Sequence, residues 1–248
     1  VKFTSVTEQW SVISISGPKA REILKNSNCN INLSNENFPF MTFKKGKIDG
    51  IPVRVFRISF TGELSYEINT PSRYGLFLWQ KFLKSGAKFN IMPYGTEALH
   101  VLRAEKGFII VGQETDGSIS PVDLGMNWII SKKKDDFIGK RSLKTISELE
   151  NRKQLVGILT DDPKQIIPEG AHAVEEKNTN PPVRMLGHIT SSYFSPNCNR
   201  SIALALIKGG RSKIGKRLFF PLLNKKVISG KIVEPIFFDP KGDRLDGV

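Results

Sequence analysis

The sequence contains few of the residues on which familiar catalytic and metal-binding motifs depend. It has three histidines and two cysteines among 248 residues. His100, His172 and His188 occur in separate contexts without ligand spacing, so we expect structural or surface histidines and no metal site. Cys29 and Cys198 lie far apart in sequence, which is typical of reduced thiols in a cytoplasmic protein.

Several other signatures are missing. There is no phosphate-binding loop with its lysine, no G-x-G-x-x-G and no G-x-S-x-G. The nearest approach to a nucleophile system, Ser191-Ser192 after His188, has no acid beside it, so the catalytic residues stay unknown. No apolar run approaches the ~20 residues that a membrane span needs, and we expect no membrane partner. The sequence begins at Val1 without a signal-like apolar core or a Met, which suggests a fragment or a processed chain.

The net charge of +13 allows a nucleic-acid partner, but the distribution of lysines does not favour one. The lysines form short clusters such as 132–134, and aromatic residues are not interleaved with them as a stacking surface would require. We therefore expect no nucleic acid. A lysine-rich proteome and attraction for a polyanionic small molecule explain the charge equally well.

The most informative stretch is VRVFRISFTGELSYEIN, residues 53–69. Alternation predicts a strand that buries Val53 and Val55 and continues to Phe60, with Arg54 and Arg57 on its polar side. Thr61-Gly62-Glu63 interrupts it, and a second strand follows with Leu64, Tyr66 and Ile68 on one side.

This hairpin brings Glu63, Tyr66 and Glu67 to one region of the sheet. A carboxylate that is held rigidly on a sheet face suits a ligand with paired N–H donors, such as a pterin or a guanidine-like group. The alternative is an ordinary hairpin with two solvated acids, because surface acids often have no function.

Periodicity along the rest of the chain predicts an α+β fold in two domains, 1–147 and 148–248. The first has an antiparallel sheet with helices, and the second a small antiparallel β-barrel or sandwich. The predicted strands are 8–15, 41–47, 48–58, 108–111, 124–130, 153–159, 186–190, 201–207, 217–221 and 227–232; the predicted helices are 19–25, 74–86, 97–105 and one from 137 that ends before 149.

The segment KGFIIVGQETDGSISP, residues 106–121, passes from an apolar run into a polar loop that resembles a binding rim. Glu114 and Asp116 are ligand groups or turn acids, and the Asp-Gly pair favours the second reading. For this segment, the residues alone leave both interpretations open.

Five motifs, FTGELSYEI, PYGTEALHVLRAEKG, VGQETDG, DDFIGKRSL and GHITSSYFSP, occur in an order that resembles the glycine cleavage T-protein (aminomethyltransferase) superfamily. Within that superfamily the chain resembles the folate-binding, C-terminal half of sarcosine oxidase α subunits. The resemblance implies a ferredoxin-like α+β region, then a C-terminal antiparallel β-barrel, with tetrahydrofolate as the cofactor.

The resemblance also implies residue roles. Glu67, the second glutamate of TGE-x-x-x-E, is expected to hydrogen-bond the pterin ring, with Tyr66 packed beside it and Glu63 in the same motif. Arg103 belongs to the LR pair of the helix motif and is a further cofactor-binding candidate. Leu99 stands where T-proteins carry an arginine for the glutamate tail of folate, so binding of the tail is expected to fall to other basic residues.

The function implied is the trapping of a one-carbon unit, released from sarcosine by oxidation, as 5,10-methylenetetrahydrofolate. Flavin and NAD are expected only on other parts of the complex, and the partners are folate, a one-carbon donor and other subunits or an upstream domain. The catalytic aspartate of the superfamily precedes the matching region, so this chain alone is not expected to catalyse. The alternatives are a stand-alone aminomethyltransferase and a non-catalytic folate-binding or assembly module.

Overall fold

The computed structural model of the protein describes residues 1–177 and 182–247. The chain forms two compact units, one of residues 1–99 with 241–248 and one of residues 100–240. The domain boundary predicted at 147/148 lies within the second unit. No helix in the described ranges has the length and apolar character needed to cross a bilayer.

Unit 1 (residues 1–99 and 241–248) contains a four-stranded antiparallel sheet in the order β1-β4-β3-β2. Its strands are β1 (Trp10–Ser16), β2 (Thr42–Ile48), β3 (Ile51–Arg57) and β4 (Ser65–Pro71), and its helices are α1 (Ala20–Asn26) and α2 (Gly75–Gly86). Helix α3 (Thr96–Glu105) begins in unit 1 and ends in unit 2.

One face of this sheet packs against the helices, because apolar side chains alternate with other residues along its strands. Ile13, Ile15, Val55, Tyr66 and Ile68 are buried on that face. Leu24 of α1 and Leu78 and Phe82 of α2 complete the same hydrophobic core. Residues between these on β1 and β4 therefore point to the opposite face.

The predicted hairpins form, but two predictions about the first strand of this stretch are wrong: how far it extends and on which side Arg57 lies. Gly50 and Gly62 both have a φ of 81°, which other residues rarely adopt, and they mark the two connections. Strand β3 ends at Arg57, short of Phe60, and the Arg57 side chain is 1% exposed on the core side instead of lying on the polar side. Its guanidinium is buried because it donates to the Phe38 carbonyl at 2.5 Å and to Asp246 at 2.6 Å.

Unit 2 (residues 100–240) contains a closed antiparallel barrel with the strand order β10-β5-β8-β7-β6-β9. The strands are β5 (Lys153–Thr160), β6 (His172–Val174), β7 (Met185–Ser195), β8 (Arg200–Lys208), β9 (Arg217–Pro221) and β10 (Val227–Val233). Together with the antiparallel sheet and helices of unit 1, this confirms the predicted α+β class with a C-terminal β-barrel.

Two predicted strands of unit 2 are wrong. Residues 108–111 form no strand, because the amide of Ile110 donates to the Glu114 carboxylate at 2.7 Å and the chain turns there. Residues 124–130 form turns and a short 3₁₀ helix (Asn127–Ile129), and Gly125 has a φ of 76°. Both runs are apolar and short, a pattern that does not distinguish a strand from a packed loop. The helix predicted from 137 is α4 (Lys140–Ser147).

Candidate functional site

Glu67 lies on the face of the unit 1 sheet that the helices do not cover. Its neighbours Tyr66 and Ile68 are buried in the core, so alternation turns Glu67 to the other side. The register places Ser14 of β1 and Phe56 of β3 directly beside it. The strands thus fix the position of Glu67 from both sides.

The Glu67 carboxylate has no protein partner within the described residues. Partial burial raises the pKa of the Glu67 carboxyl above its ordinary value, and no opposing charge or hydrogen bond offsets that effect. A half-buried carboxylate without a donor is unfavourable for folding. Such an arrangement is typical of a group that receives its hydrogen bonds from a ligand.

An aromatic pair lies next to this carboxylate. The Phe56 ring stacks on Phe43 of β2, with centroids 5.3 Å apart and an interplanar angle of 22°. Phe43 is 53% exposed, so the pair forms part of an accessible surface. This surface offers an acceptor and an apolar ring in one place, as a planar, hydrogen-bonding ligand requires.

Hydroxyl groups line the other side of Glu67. The Ser16 and Ser65 hydroxyls are 2.8 Å apart, and Ser14 lies 3.5 Å from Ser65. The Ser16 hydroxyl is also 3.4 Å from the Tyr94 hydroxyl. These groups make the sheet face polar next to Glu67 without supplying the carboxylate with a charge partner.

Tyr66 is fully buried on the opposite side of the strand from Glu67. Its ring lies 5.9 Å from the Phe38 ring, and its hydroxyl accepts a 3.4 Å hydrogen bond from Arg21. Arg21 also donates to Asn35. Tyr66 therefore connects β4 to α1 and to the loop between α1 and β2, and it does not share a surface with Glu67.

Glu63 is used in an ion pair within unit 1. Its Oε1 accepts from Arg244 Nε at 2.5 Å, and Arg57 binds Asp246 in the same C-terminal segment. The Glu63 side chain is 15% exposed. This pair attaches the C-terminal segment beside the loop between β3 and β4.

Arg103 lies in the interior of unit 2. Its Nη1 donates to Glu114 at 2.9 Å and to the Phe108 carbonyl at 3.1 Å, and its Nη2 donates to Ser191 at 2.5 Å. Glu114 is also fully buried and accepts from Ser191. Glu114 is thus neither a solvated turn acid nor an accessible ligand group in this structure.

Asp116, by contrast, is a turn acid. It accepts from the Ser118 amide at 2.7 Å and the Ser118 hydroxyl at 2.6 Å, and these bonds lower the pKa of the Asp116 carboxyl. In residues 1–177 and 182–247, no three His, Cys, Asp or Glu side chains form a group that would hold a metal ion.

Leu99 lines an apolar cavity of about 300 Å³ in unit 1. The cavity wall also includes Trp79, Met92 and Tyr94, together with Val12 to Ser16 of β1. The position at which the superfamily resemblance implies an arginine is therefore apolar in its surroundings as well as in its side chain.

Sequence reasoning missed Phe56 and Ser14 as neighbours of Glu67. Alternation from Val53 and Val55 already turns Phe56 to the other face, but only the strand register shows that Phe56 lies opposite Glu67. Ser14 gives no local signal, because its place beside Glu67 depends on the pairing of two strands that are far apart in sequence.

Two known domain families match the sequence of this chain. The GCVT N-terminal domain family matches residues 1–134, and the glycine cleavage T-protein C-terminal barrel domain family matches residues 153–239. The chain belongs to the glycine cleavage T-protein family.

The chain is also similar to individual proteins of known name. The chain is 47% identical to the sarcosine oxidase α subunit of Corynebacterium sp. (strain P-1), over 100% of this chain and 26% of that protein. It is 32% identical to the aminomethyltransferase of Caldanaerobacter subterraneus subsp. tengcongensis, over 96% of this chain and 61% of that protein. The crystal structure of aminomethyltransferase T from Bartonella henselae superposes with a TM-score of 0.77 at 22% identity, over 92% of this chain and 59% of that chain, which shows the shared fold.

Proposed function

We propose that this chain is the tetrahydrofolate-binding part of a sarcosine oxidase, and that Glu67 binds the pterin ring of the folate. The observation that carries the proposal is the half-buried Glu67 carboxylate without a protein partner. The chain's 47% identity to a sarcosine oxidase α subunit supports the choice of enzyme. Since the chain spans 26% of that relative, the substrate and the complex are proposed for a larger protein.

The donor set of the proposed ligand suits the site. A carboxylate accepts two hydrogen bonds at once, and a pterin presents an amino group next to a ring N–H. Phe56, directly beside Glu67 in the register, offers an apolar ring to the flat face of the ligand. Donor contacts favour the ionised carboxylate, so we expect the ligand to lower the pKa of Glu67 from its raised value.

The proposed contribution of this chain is positioning. When bound, tetrahydrofolate supplies the two nitrogens that take up the one-carbon unit produced by oxidation of sarcosine. Glu67 fixes the pterin end, and the sheet face with Ser14 and Phe56 fixes the plane of the ring. Holding reactants in one orientation contributes large factors to rate. Flavin and NAD belong, in this proposal, to other parts of the complex, and the proposed compartment is the cytoplasm.

Tyr66, Glu63 and Arg103 stay predictions as cofactor-binding residues. Each has a structural partner, namely Arg21, Arg244 and Glu114 respectively. We therefore expect variants of these three residues to affect folate binding through the position of β4 or of the 108–114 loop. Because Leu99 carries no charge, other basic residues bind the glutamate tail in this proposal. The net charge of +13 reflects the excess of such residues.

The test is calorimetric titration of the protein with tetrahydrofolate, for wild type, Glu67→Gln and Glu22→Gln. Glu67→Gln keeps the size of the side chain but removes the charge, and Glu22→Gln is a control on an exposed carboxylate of the same unit. We expect binding by wild type and by the control, and at least a tenfold loss for Glu67→Gln. Equal affinity of all three proteins would exclude Glu67 from the site, and no binding by any would favour the non-catalytic assembly module.

A further inference from the structure

The open face of the unit 1 sheet, which carries Glu67, also carries basic side chains. Alternation from the buried Val55 places Arg54 on this face, and the register puts Lys45 of β2 directly opposite Arg54. Lys47, two residues further along β2, points the same way. Glu67 is the single acidic residue in the four strands of the sheet. The open face therefore has an excess of positive charge on β2 and β3.

Arg54 and Lys45 lack a counter-charge from the protein. Among residues 1–177 and 182–247, neither side chain forms an ion pair. Like charges that lie directly opposite each other on neighbouring strands are destabilising. The Arg54 guanidinium lies over the Trp10 ring, 4.3 Å from its centroid, and this contact orients the guanidinium without neutralising it. An anion bound on this face would offset the repulsion, so the arrangement favours an anionic ligand.

The cations begin one row of outward side chains away from Glu67. Arg54 pairs with Asn69, which is two residues after Glu67 on β4, and Trp10 pairs with Pro71, two residues further on. Alternate residues of a strand are about 7 Å apart. The guanidinium over Trp10 therefore lies roughly 7 to 14 Å from Glu67 along the strands. A ligand that extends along the sheet from Glu67 would reach it.

We propose that Arg54 and Lys45, with Lys47 beside them, bind the carboxylates of the glutamate tail, so that the substrate is polyglutamyl tetrahydrofolate. This inference rests on the proposed function, because it takes the pterin to lie at Glu67. In folate an uncharged benzoyl group separates the pterin from the first glutamate, just as the uncharged Asn69 separates Glu67 from the cations. The Arg54 guanidinium can bind one carboxylate through two parallel hydrogen bonds. Successive carboxylates of the tail match cations that repeat along β2, since Lys45 and Lys47 are about 7 Å apart.

The test is calorimetric titration of the protein with tetrahydrofolate that carries one glutamate and with tetrahydrofolate that carries five. Wild type should bind the pentaglutamate at least about tenfold more tightly, because more carboxylates meet the cations. The double variant Arg54→Gln/Lys45→Gln should bind the two ligands with affinities within about threefold of each other. Wild type should also lose the preference at about 1 M salt, where the screening length is about 3 Å.

A second double variant, Lys84→Gln/Lys88→Gln, is the matched control. It removes the same charge at two exposed positions near the end of α2, away from the open face of the sheet. Lys88 also lies over an aromatic ring, that of Phe89, at 5.0 Å from its centroid. We expect this protein to keep the wild-type preference for the pentaglutamate. Thermal unfolding of both double variants verifies that each is folded during the titration.

Three results would overturn the inference. Equal affinity of wild type for the two ligands, with binding of both lost in Glu67→Gln, would remove the tail site and leave the proposed function intact. An equal loss of preference in the two double variants would show that net charge, and not this face of the sheet, attracts the tail. No binding of either ligand by wild type would overturn the inference together with the proposed function.

Discussion

The carboxylate of Glu114 and the guanidinium of Arg103 form an ion pair with a separation of 2.9 Å, and both side chains are completely buried. Ser191 bonds to both members, and Arg103 also donates to the Phe108 carbonyl. This cluster connects α3, the loop that follows it and β7 within unit 2. Its members belong to three of the motifs that mark the family, LRAEKG, VGQETDG and HITSS.

Breaking this pair is expected to destabilise the protein strongly. Arg103→Met leaves the Glu114 charge buried without an opposite charge, and Glu114→Gln leaves the arginine charge, so each should lower the free energy of unfolding by about 3–5 kcal/mol. The double variant should lose less than the sum of the two, because no uncompensated charge remains. Urea denaturation of the three variants measures these differences.

The control is the exposed pair Lys25–Glu22, whose side chains are 56% and 46% exposed. Lys25→Met and Glu22→Gln should each change stability by less than about 1 kcal/mol, since solvent screens such pairs. A loss of similar size at both pairs would contradict the role assigned to the Arg103 cluster.

Glu67 should reduce the stability of the free protein at neutral and alkaline pH. Burial raises its folded-state pKa above the unfolded value, so the folded state binds the proton more tightly. Stability is therefore lost as pH rises from the ordinary glutamate range through the folded pKa. Glu67→Gln cannot ionise, so we expect it to unfold at a higher temperature than wild type at about pH 8 and at a similar temperature near about pH 3.

Thermal unfolding of wild type, Glu67→Gln and Glu22→Gln across this pH range tests the expectation. The Glu22 variant should follow wild type at every pH, because that carboxylate is exposed. A Glu67→Gln protein that is less stable than wild type at alkaline pH would show that the carboxylate has a stabilising partner. The same variant is expected to lose folate, so stability and binding should change in opposite directions.

Five of the six strands of the barrel could be predicted from sequence, because their strand-like runs are separated by turn residues such as Gly170, Gly209 and Gly215. The short strand β6 (His172–Val174) was not predicted. Residues 186–190, 201–207, 217–221 and 227–232 all lie within observed strands. The runs 108–111 and 124–130 could not be recognised from sequence as turns. Glu114 binds the Ile110 amide from across a turn, and Gly125 reverses the chain. Local apolar character is the same in both cases, and only the packing of unit 2 distinguishes them.

The candidate site could also be predicted only in part from sequence. Glu67 could be found from alternation and from its motif, but its half-buried, unpaired state depends on the pairing of β4 with β1 and β3. The two buried arginines, Arg57 and Arg103, were not predictable as core residues, because an arginine on a strand or helix normally indicates a solvated face. Their partners Asp246 and Glu114 lie 189 and 11 residues away in sequence.

The C-terminal segment should depend on Arg57 and Glu63 for its attachment. Arg244→Ala removes the partner of Glu63, and Asp246→Asn removes the charge that Arg57 binds at 2.6 Å. We expect the double variant to release residues 241–247 to limited proteolysis faster than wild type, with a loss of about 1–3 kcal/mol in stability. Arg217→Ala, at an exposed pair with Asp161, is the control and should leave cleavage unchanged. Unaltered proteolysis of the double variant would contradict this attachment.

Gly187 should tolerate no side chain, because β7 and β8 approach closely there. A Cβ atom built on Gly187 would lie 1.8 Å from the Leu206 carbonyl oxygen and 3.0 Å from Ile207 Cα, and both are backbone atoms that cannot rotate away. Gly187→Ala must therefore separate two paired strands of the barrel, and we expect a loss of at least about 3 kcal/mol, beyond ordinary overpacking. Gly117→Ala is the control, since a Cβ there meets nothing within 4 Å, and it should be neutral or slightly stabilising. Thermal unfolding compares the two, and a Gly187→Ala protein as stable as Gly117→Ala would show that the barrel is less closely packed at this point than its strand register requires.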